Sequence, residues 1–237
     1  MQFIILLFLS SYCFGQSKTI DIPVSVRSNL KGDTSLWFKD YFKLTHDLKL
    51  ENLQLSTDSF HFRFWTDTQA IDIWTSNNKK FSGSVTSFAQ RYNEKLLKKE
   101  QYEVDKVFSN TSDLDSITSR YIYQSFESLQ IQQIPTDGKI KGWSEGLDGF
   151  EYLIEVSTKT TYSFKTYWSP IIFVTTLVEA KKIQAFHDYL FRDMKLGDYY
   201  NKLQLPIGSF KRNGVPGITI KTEKQINIGA KTIFDLL

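Results

Sequence analysis

Residues 60–75, Phe-His-Phe-Arg-Phe-Trp-Thr-Asp-Thr-Gln-Ala-Ile-Asp-Ile-Trp-Thr, constrain the fold more than any other stretch of the chain. Phe60, Phe62 and Phe64 recur at period two with His61, Arg63 and Trp65 between them. Only a pleated strand sends alternate side chains to opposite faces in that way. Thr66-Asp67-Thr68-Gln69 supplies turn chemistry, after which Ile71 and Ile73 alternate against Asp72 and Trp74. The pattern predicts an antiparallel hairpin with one apolar and one amphipathic face, the second turned to solvent.

The same logic extends along the chain. Asn77-Asn78-Lys79-Lys80 makes the next turn, residues 81–88 alternate around Gly83 as a third strand, and 102–108 offer another. Ser112, with Asp115 three residues on, reads as the start of a helix carrying Leu114, Ile117, Tyr121, Ile122 and Leu129, which Ile134-Pro135 ends. Residues 150–156 and 161–167 form a second hairpin around Ser157-Thr158-Lys159-Thr160, and 171–175 read as a short strand or a linker. A second helix is predicted over 176–195, with Ile183, Phe186, Leu190 and Met194 on one stripe and Gly197 as its stop. Residues 198–203 add one more helical turn, 34–55 fit either a helix or extended chain, and 218–220 and 226–228 are strand-like. The expected fold class is α+β, with antiparallel β-hairpins packed against two main α-helices in a single domain over 16–237.

The N-terminus sets the expected address. Phe3-Ile4-Ile5-Leu6-Leu7-Phe8-Leu9 is a short apolar run, followed by Cys13 and Gly15 in the places a signal peptidase reads, so residues 1–15 are expected to be a signal peptide. No Lys or Arg precedes the run, and its alternative is a buried N-terminal strand. The run is shorter than the roughly 20 apolar residues of a membrane span, so none is expected in the mature chain. Cys13 as a lipid anchor is disfavoured by the bulky Tyr12 beside it. The protein is thus expected to be exported, to the periplasm or the extracellular space.

Cys13 is the only cysteine, so cleavage removes every thiol, and the mature body has no disulfide, thiol nucleophile or thiolate metal site. The 29 Lys and Arg against 26 Asp and Glu give a net charge of +3, too mild to predict nucleic-acid binding. His46, His61 and His187 stand apart from any HExxH, HxH or Cys/His arrangement, and no metal or cofactor is expected. Gly142-Trp143-Ser144-Glu145-Gly146 has the G-x-S-x-G spacing but reads as a loop and not the strand-to-helix turn of a nucleophile elbow, and no Gly-Lys-Ser or Gly-Lys-Thr phosphate loop is present.

Several strings look familiar together. Phe62-Arg63-Phe64-Trp65-Thr66 with Gln69-Ala70-Ile71-Asp72-Ile73-Trp74-Thr75, then Lys141-Gly142-Trp143-Ser144, Asp148-Gly149-Phe150-Glu151-Tyr152-Leu153-Ile154-Glu155 and Tyr162-Ser163-Phe164-Lys165-Thr166-Tyr167-Trp168-Ser169-Pro170 resemble a group of exported bacterial proteins of unknown function, of Bacteroidota type. The resemblance implies location and kinship; it brings no catalytic or binding residue to transfer.

Two functions follow as expectations. The leading one is a non-catalytic domain of the cell envelope that binds a ligand, peptide or protein partner through His61, Arg63, Trp65, Asp72 and Trp74 on the amphipathic hairpin face, or through Trp143. Aromatic rings there, with Tyr167 and Trp168, would present flat apolar surface with a polar tip; the plainer reading is that they seal the ends of the core. The alternative is a hydrolase with His61, oriented by Asp72, or a carboxylate as general base. Against it, His, Arg, Asp and Trp interleaved on a solvated hairpin make ordinary cross-strand pairs worth about 0.2–1 kcal/mol each. Glu151 and Glu155, four residues apart on a strand, stand roughly 13 Å apart, too far for paired hydrolytic carboxylates. The discriminating question is whether His61, Arg63 and Asp72 share a concave pocket.

Overall fold

The alternation at residues 60–75 is realised as two adjacent strands in the middle of a sheet. The computed structural model describes residues 18–23, 36–144, 146, 149–212 and 217–221. The signal peptide expected over 1–15 and the strand-like 226–228 lie outside them. In chain order the described elements are β1 (Thr19–Asp21), α1 (Leu36–Asp47), β2 (Phe60–Trp65), β3 (Gln69–Thr75), β4 (Ser82–Tyr92), the short α2 (Glu94–Leu97), β5 (Val104–Leu114), α3 (Ser116–Ser128), β6 (Glu151–Thr158), β7 (Thr161–Trp168), α4 (Val178–Asp188), β8 (Gly208–Arg212) and β9 (Gly217–Lys221). A 3-10 helix occupies Pro170–Phe173, where a strand or linker was expected, and another occupies Leu196–Lys202.

These nine strands form one sheet in the order β1-β7-β6-β2-β3-β4-β8-β9, with β5 also paired to β4. The α+β class holds, but the sheet is mixed and not simply antiparallel. β1 runs parallel to β7, Ile20 opposite Tyr162, while every other described pair is antiparallel. A hairpin announces itself by its turn, whereas a parallel pair joins segments far apart in the chain and leaves no local signal.

Register puts Phe62 between Ile73 and Val156, and Phe64 between Ile71 and Ile154. This face, with Val85 and Tyr152, is covered by Ile122 and Phe126 of α3 and by Ile183 and Phe186 of α4, with Leu190 just beyond. Phe62 stacks on Phe126 with centroids 4.3 Å apart, and Phe186 meets both edge-on at 5.9 and 5.6 Å. Gly83 belongs here for want of room: a Cβ would stand 2.6 Å from Ile73 Cδ1 and 2.9 Å from Ser119 Oγ of α3.

Two further corrections concern the helices. α3 begins at Ser116, and Ser112 lies in β5 opposite Val85, because pairing with β4 outweighs the capping signature read at 112. Asp115 is the actual cap, accepting hydrogen bonds from the amides of Ile117 at 2.9 Å and Thr118 at 2.8 Å. The Thr118 amide, with the Thr118 hydroxyl and the Ile117 amide, holds the Asp115 carboxyl below its ordinary pKa. The stability it contributes is therefore complete above the unfolded aspartate value of about 3.9 and is lost as pH falls through the lower folded value. Asp115→Ala is expected to lower the thermal midpoint at neutral pH, with the gap to wild type closing in acid; an equal gap at both ends of the pH series would count against the cap.

The second correction is a third helix, on the opposite face of the sheet. α1 packs Tyr41, Leu44 and Leu48, together with Leu53, against Trp65, Ala70, Phe88, Leu153, Tyr162 and Phe164. Two main helices were the expectation; with α1 the sheet is covered on both faces. α1 stops where Lys49 turns left-handed at φ 56°, with Lys49 N–H bonded to the His46 carbonyl and Leu50 N–H to that of Thr45. This helix stop reverses the chain. Residues 50–59 follow it and return to β2.

Candidate functional site

The face expected to meet solvent is buried. Arg63 is 1% exposed, His61 and Asp72 3% each, and Trp65 fully enclosed. What lies over it is α1 and the segment that follows, which no periodicity in 60–75 could reveal. Charges in such a place must be paired, because desolvating them singly costs several kcal/mol.

The register supplies the pairing by setting Arg63 opposite Asp72 on one side and Glu155 on the other. Arg63 Nε donates to Asp72 Oδ1 at 2.7 Å, Nη1 to Glu155 Oε1 at 3.4 Å, and Nη2 to the Glu51 carbonyl at 3.1 Å. Glu155 also accepts from Trp65 Nε1 and from the Tyr162 hydroxyl, both at 2.7 Å. Burial works against the charge on Arg63, and Asp72 and Glu155 more than reverse it, raising its pKa. Burial likewise opposes ionisation of Asp72, but Arg63 and then the His61 hydrogen bond hold its carboxyl below the usual range. Tyr162 is pushed far up by burial and the adjacent Glu155 carboxylate, so its hydroxyl keeps its proton and stays a donor.

His61 and Asp72 do form the oriented pair, Nε2 to Oδ1 at 2.9 Å. The other ring nitrogen, Nδ1, is buried and has no hydrogen-bond partner. It faces the segment between α1 and β2, with Asp58 Oδ2 at 3.5 Å and Glu51 Oε2 at 3.9 Å. Glu51, Asp58 and His61 thus offer one ligand atom each within a 4.8 Å group, and are the set among the described residues able to hold a metal ion. Ser76 Oγ donates to Asp58 Oδ1 at 2.9 Å, and Ser56 Oγ to Asp58 Oδ2 at 3.3 Å. Neither Glu51 nor Asp58 stood out in the sequence, since their approach to His61 depends on the reversal at Lys49. The one local trace is Asp58 three residues before His61 at the mouth of a strand. Glu155 was noticed only as half of a carboxylate pair with Glu151; its partners are Arg63, Trp65 and Tyr162.

The aromatic candidates disperse. Trp65 is core beneath α1. Trp143 is half-buried beside the opposite core layer, its Nε1 donating to the Trp168 carbonyl at 2.8 Å and its ring resting 5.4 Å from Phe173 and 5.9 Å from Tyr167. It does not join the hairpin residues. Trp74 stays half-buried, its ring 5.6 Å from that of His61, and lines a recess of about 180 Å³ with Ser76, Asn77, Lys80 and Ser82. A second recess of about 220 Å³ lies between Asp21, Gln133, Lys139 and Lys165. Neither recess is lined by His61, Arg63 or Asp72. Of the other histidines, His46 is exposed, and His187 is stacked between Tyr152 and Phe191 at 4.6 Å each with its pKa lowered by burial.

No helix among the described residues is long and apolar enough to cross a membrane. No family model matches the chain, and neither a curated protein nor a solved structure matches it.

Proposed function

We propose that this chain is an exported domain of the cell envelope that binds a ligand, peptide or protein partner without catalysing a reaction, and that the Trp74 end of the β2–β3 hairpin is its contact surface. The exported address rests on the apolar run over residues 3–9. The observation that carries the contact surface is Trp74 itself: among the hairpin residues first considered, it alone remains partly open, at the wall of the recess that Ser76, Asn77, Lys80 and Ser82 complete. An indole face rimmed by an amide, an ammonium and hydroxyls suits an amphipathic group such as a sugar edge or a single peptide side chain. At about 180 Å³ the recess is smaller than the roughly 300–1,000 Å³ of pockets that engulf a whole small molecule. The hydrolase reading needs a base that substrate can reach, and His61 and Arg63 lie beneath the surface.

The test is a thermal-shift screen of the protein against envelope glycans and peptides, followed by Trp74→Ala on whatever binds. Binding is expected to weaken by about 2 kcal/mol, roughly thirtyfold, with the unfolding midpoint nearly unchanged. Undiminished affinity, or collapse of the fold, would remove Trp74 from the role of contact residue.

A further inference from the structure

We infer that Glu51, Asp58 and His61 form a binding site for a divalent transition-metal ion, for which zinc is the natural probe. The site goes beyond the contact surface above and does not rest on it.

The argument begins with the proton on His61. Asp72 Oδ1, ion-paired with Arg63 Nε at 2.7 Å, is an acceptor, so the Nε2 that meets it at 2.9 Å is the donor nitrogen of the ring. In the neutral imidazole that leaves the lone pair on Nδ1. This lone pair is buried, lacks a donor, and looks toward two carboxylate oxygens. Lone pair against anions is repulsive, and a cation between them relieves that repulsion.

A proton and a metal ion differ in the spacing they impose. A proton on Nδ1 would draw a carboxylate oxygen to about 2.7–2.9 Å. Two ligands that each sit about 2.1 Å from a tetrahedral ion stand roughly 3.4 Å apart. The separations here are 3.5 Å to Asp58 and 3.9 Å to Glu51, on the metal side of that divide.

Charge points the same way. Glu51, Asp58, Asp72 and Glu155 bring four carboxylates to this face, against the Arg63 guanidinium and the ammonium of Lys18, which feels both Glu51 and Asp58. Among the described residues two negative charges are left over, the complement of a divalent cation. Lys18 is occupied elsewhere, its Nζ 2.5 Å from Ser157 Oγ and 3.3 Å from the Leu53 carbonyl.

The outer contacts are those a metal site needs. Asp72 fixes the ring of His61 from its far nitrogen, and Ser56 and Ser76 hold Asp58. Arg63 Nη2 pins the Glu51 carbonyl from below, so the segment carrying both acids is tied to the sheet. One imidazole and two carboxylates suit zinc and its neighbours better than magnesium, which prefers all-oxygen shells and keeps its waters. Three protein ligands leave a position open for water or an incoming group.

Calorimetric titration of chelator-treated protein with ZnCl2 at neutral pH is expected to show one ion bound per chain, with a raised thermal midpoint that MgCl2 does not reproduce. Glu51→Gln alters a side chain that is half exposed, so its fold is expected to survive. It should weaken zinc at least roughly tenfold. Asp58→Asn, which keeps an acceptor for Ser76, should do the same, and both should abolish the visible absorption of a bound Co2+ probe. The assignment is overturned if the wild type binds no zinc, if zinc binds both variants as it binds the wild type, or if the midpoint follows pH while ignoring the metal.

Discussion

Arg63→Met is expected to lower the free energy of unfolding by about 3–5 kcal/mol, the cost of stranding buried charge. Arg63 stands between two carboxylates in a place 1% exposed, and nothing else in the network replaces it toward Asp72 or Glu155. Methionine fills the volume of the stem but leaves Asp72 with only His61 and leaves Glu155 to Trp65 and Tyr162. The Glu51 carbonyl also loses its donor, so the return segment should loosen from the sheet. Urea unfolding reads the loss. Its specific signature is rescue: Arg63→Met combined with Asp72→Asn and Glu155→Gln should recover part of the stability, since the stranded charges are then gone. A single variant within about 1 kcal/mol of wild type would mean that the guanidinium contributes packing only.

Phe62→Ala should cost a similar amount, about 3–5 kcal/mol, for a different reason. Phe62 is fully enclosed between Ile73 and Val156 in the sheet, and meets Phe126 of α3 and Phe186 of α4. Removing the ring leaves a cavity walled by rigid strands on one side and two helices on the other, a site with little freedom to collapse. It also removes a stacked pair worth about 0.5–1.5 kcal/mol beyond its buried area. The companion variant Phe62→Leu keeps most of the volume and should lose much less. Equal losses for Ala and Leu in urea unfolding would show that ring contacts, and not volume, carry the packing.

These two residues are neighbours on β2 with side chains on opposite faces of the sheet, and they show how differently the two faces could be read. The Phe60, Phe62 and Phe64 stripe was legible because apolar alternation has one economical outcome, burial, whatever covers it. His61, Arg63 and Asp72 have two outcomes, solvation or mutual pairing, and sequence spacing is identical for both. The choice fell to α1, whose Tyr41, Leu44 and Leu48 stripe is sound but lies in a segment that fitted a helix and extended chain equally well. Ser112 misled for a related reason: the capping pattern was local, and the long β4–β5 pairing that claimed Ser112 was not.

The candidate site divides along the same line. His61, Arg63, Asp72 and Trp74 were visible together because one hairpin carries them all, and Trp143 was grouped with them on residue type alone, although it belongs to the opposite layer. Glu51, Asp58 and Glu155 reach His61 and Arg63 only through the helix stop at Lys49 and the β2–β6 register. The amino-acid sequence by itself determined the α+β class, the hairpins and their apolar face, since periods of two and of about 3.6 residues act over neighbours in the chain. Tertiary structure alone decided that the charged face is closed, that β1 joins in parallel, and that two acids gather over one imidazole nitrogen. Each of these depends on segments distant in sequence, whose meeting is governed by the free energy of the whole packed body and not by any local pattern.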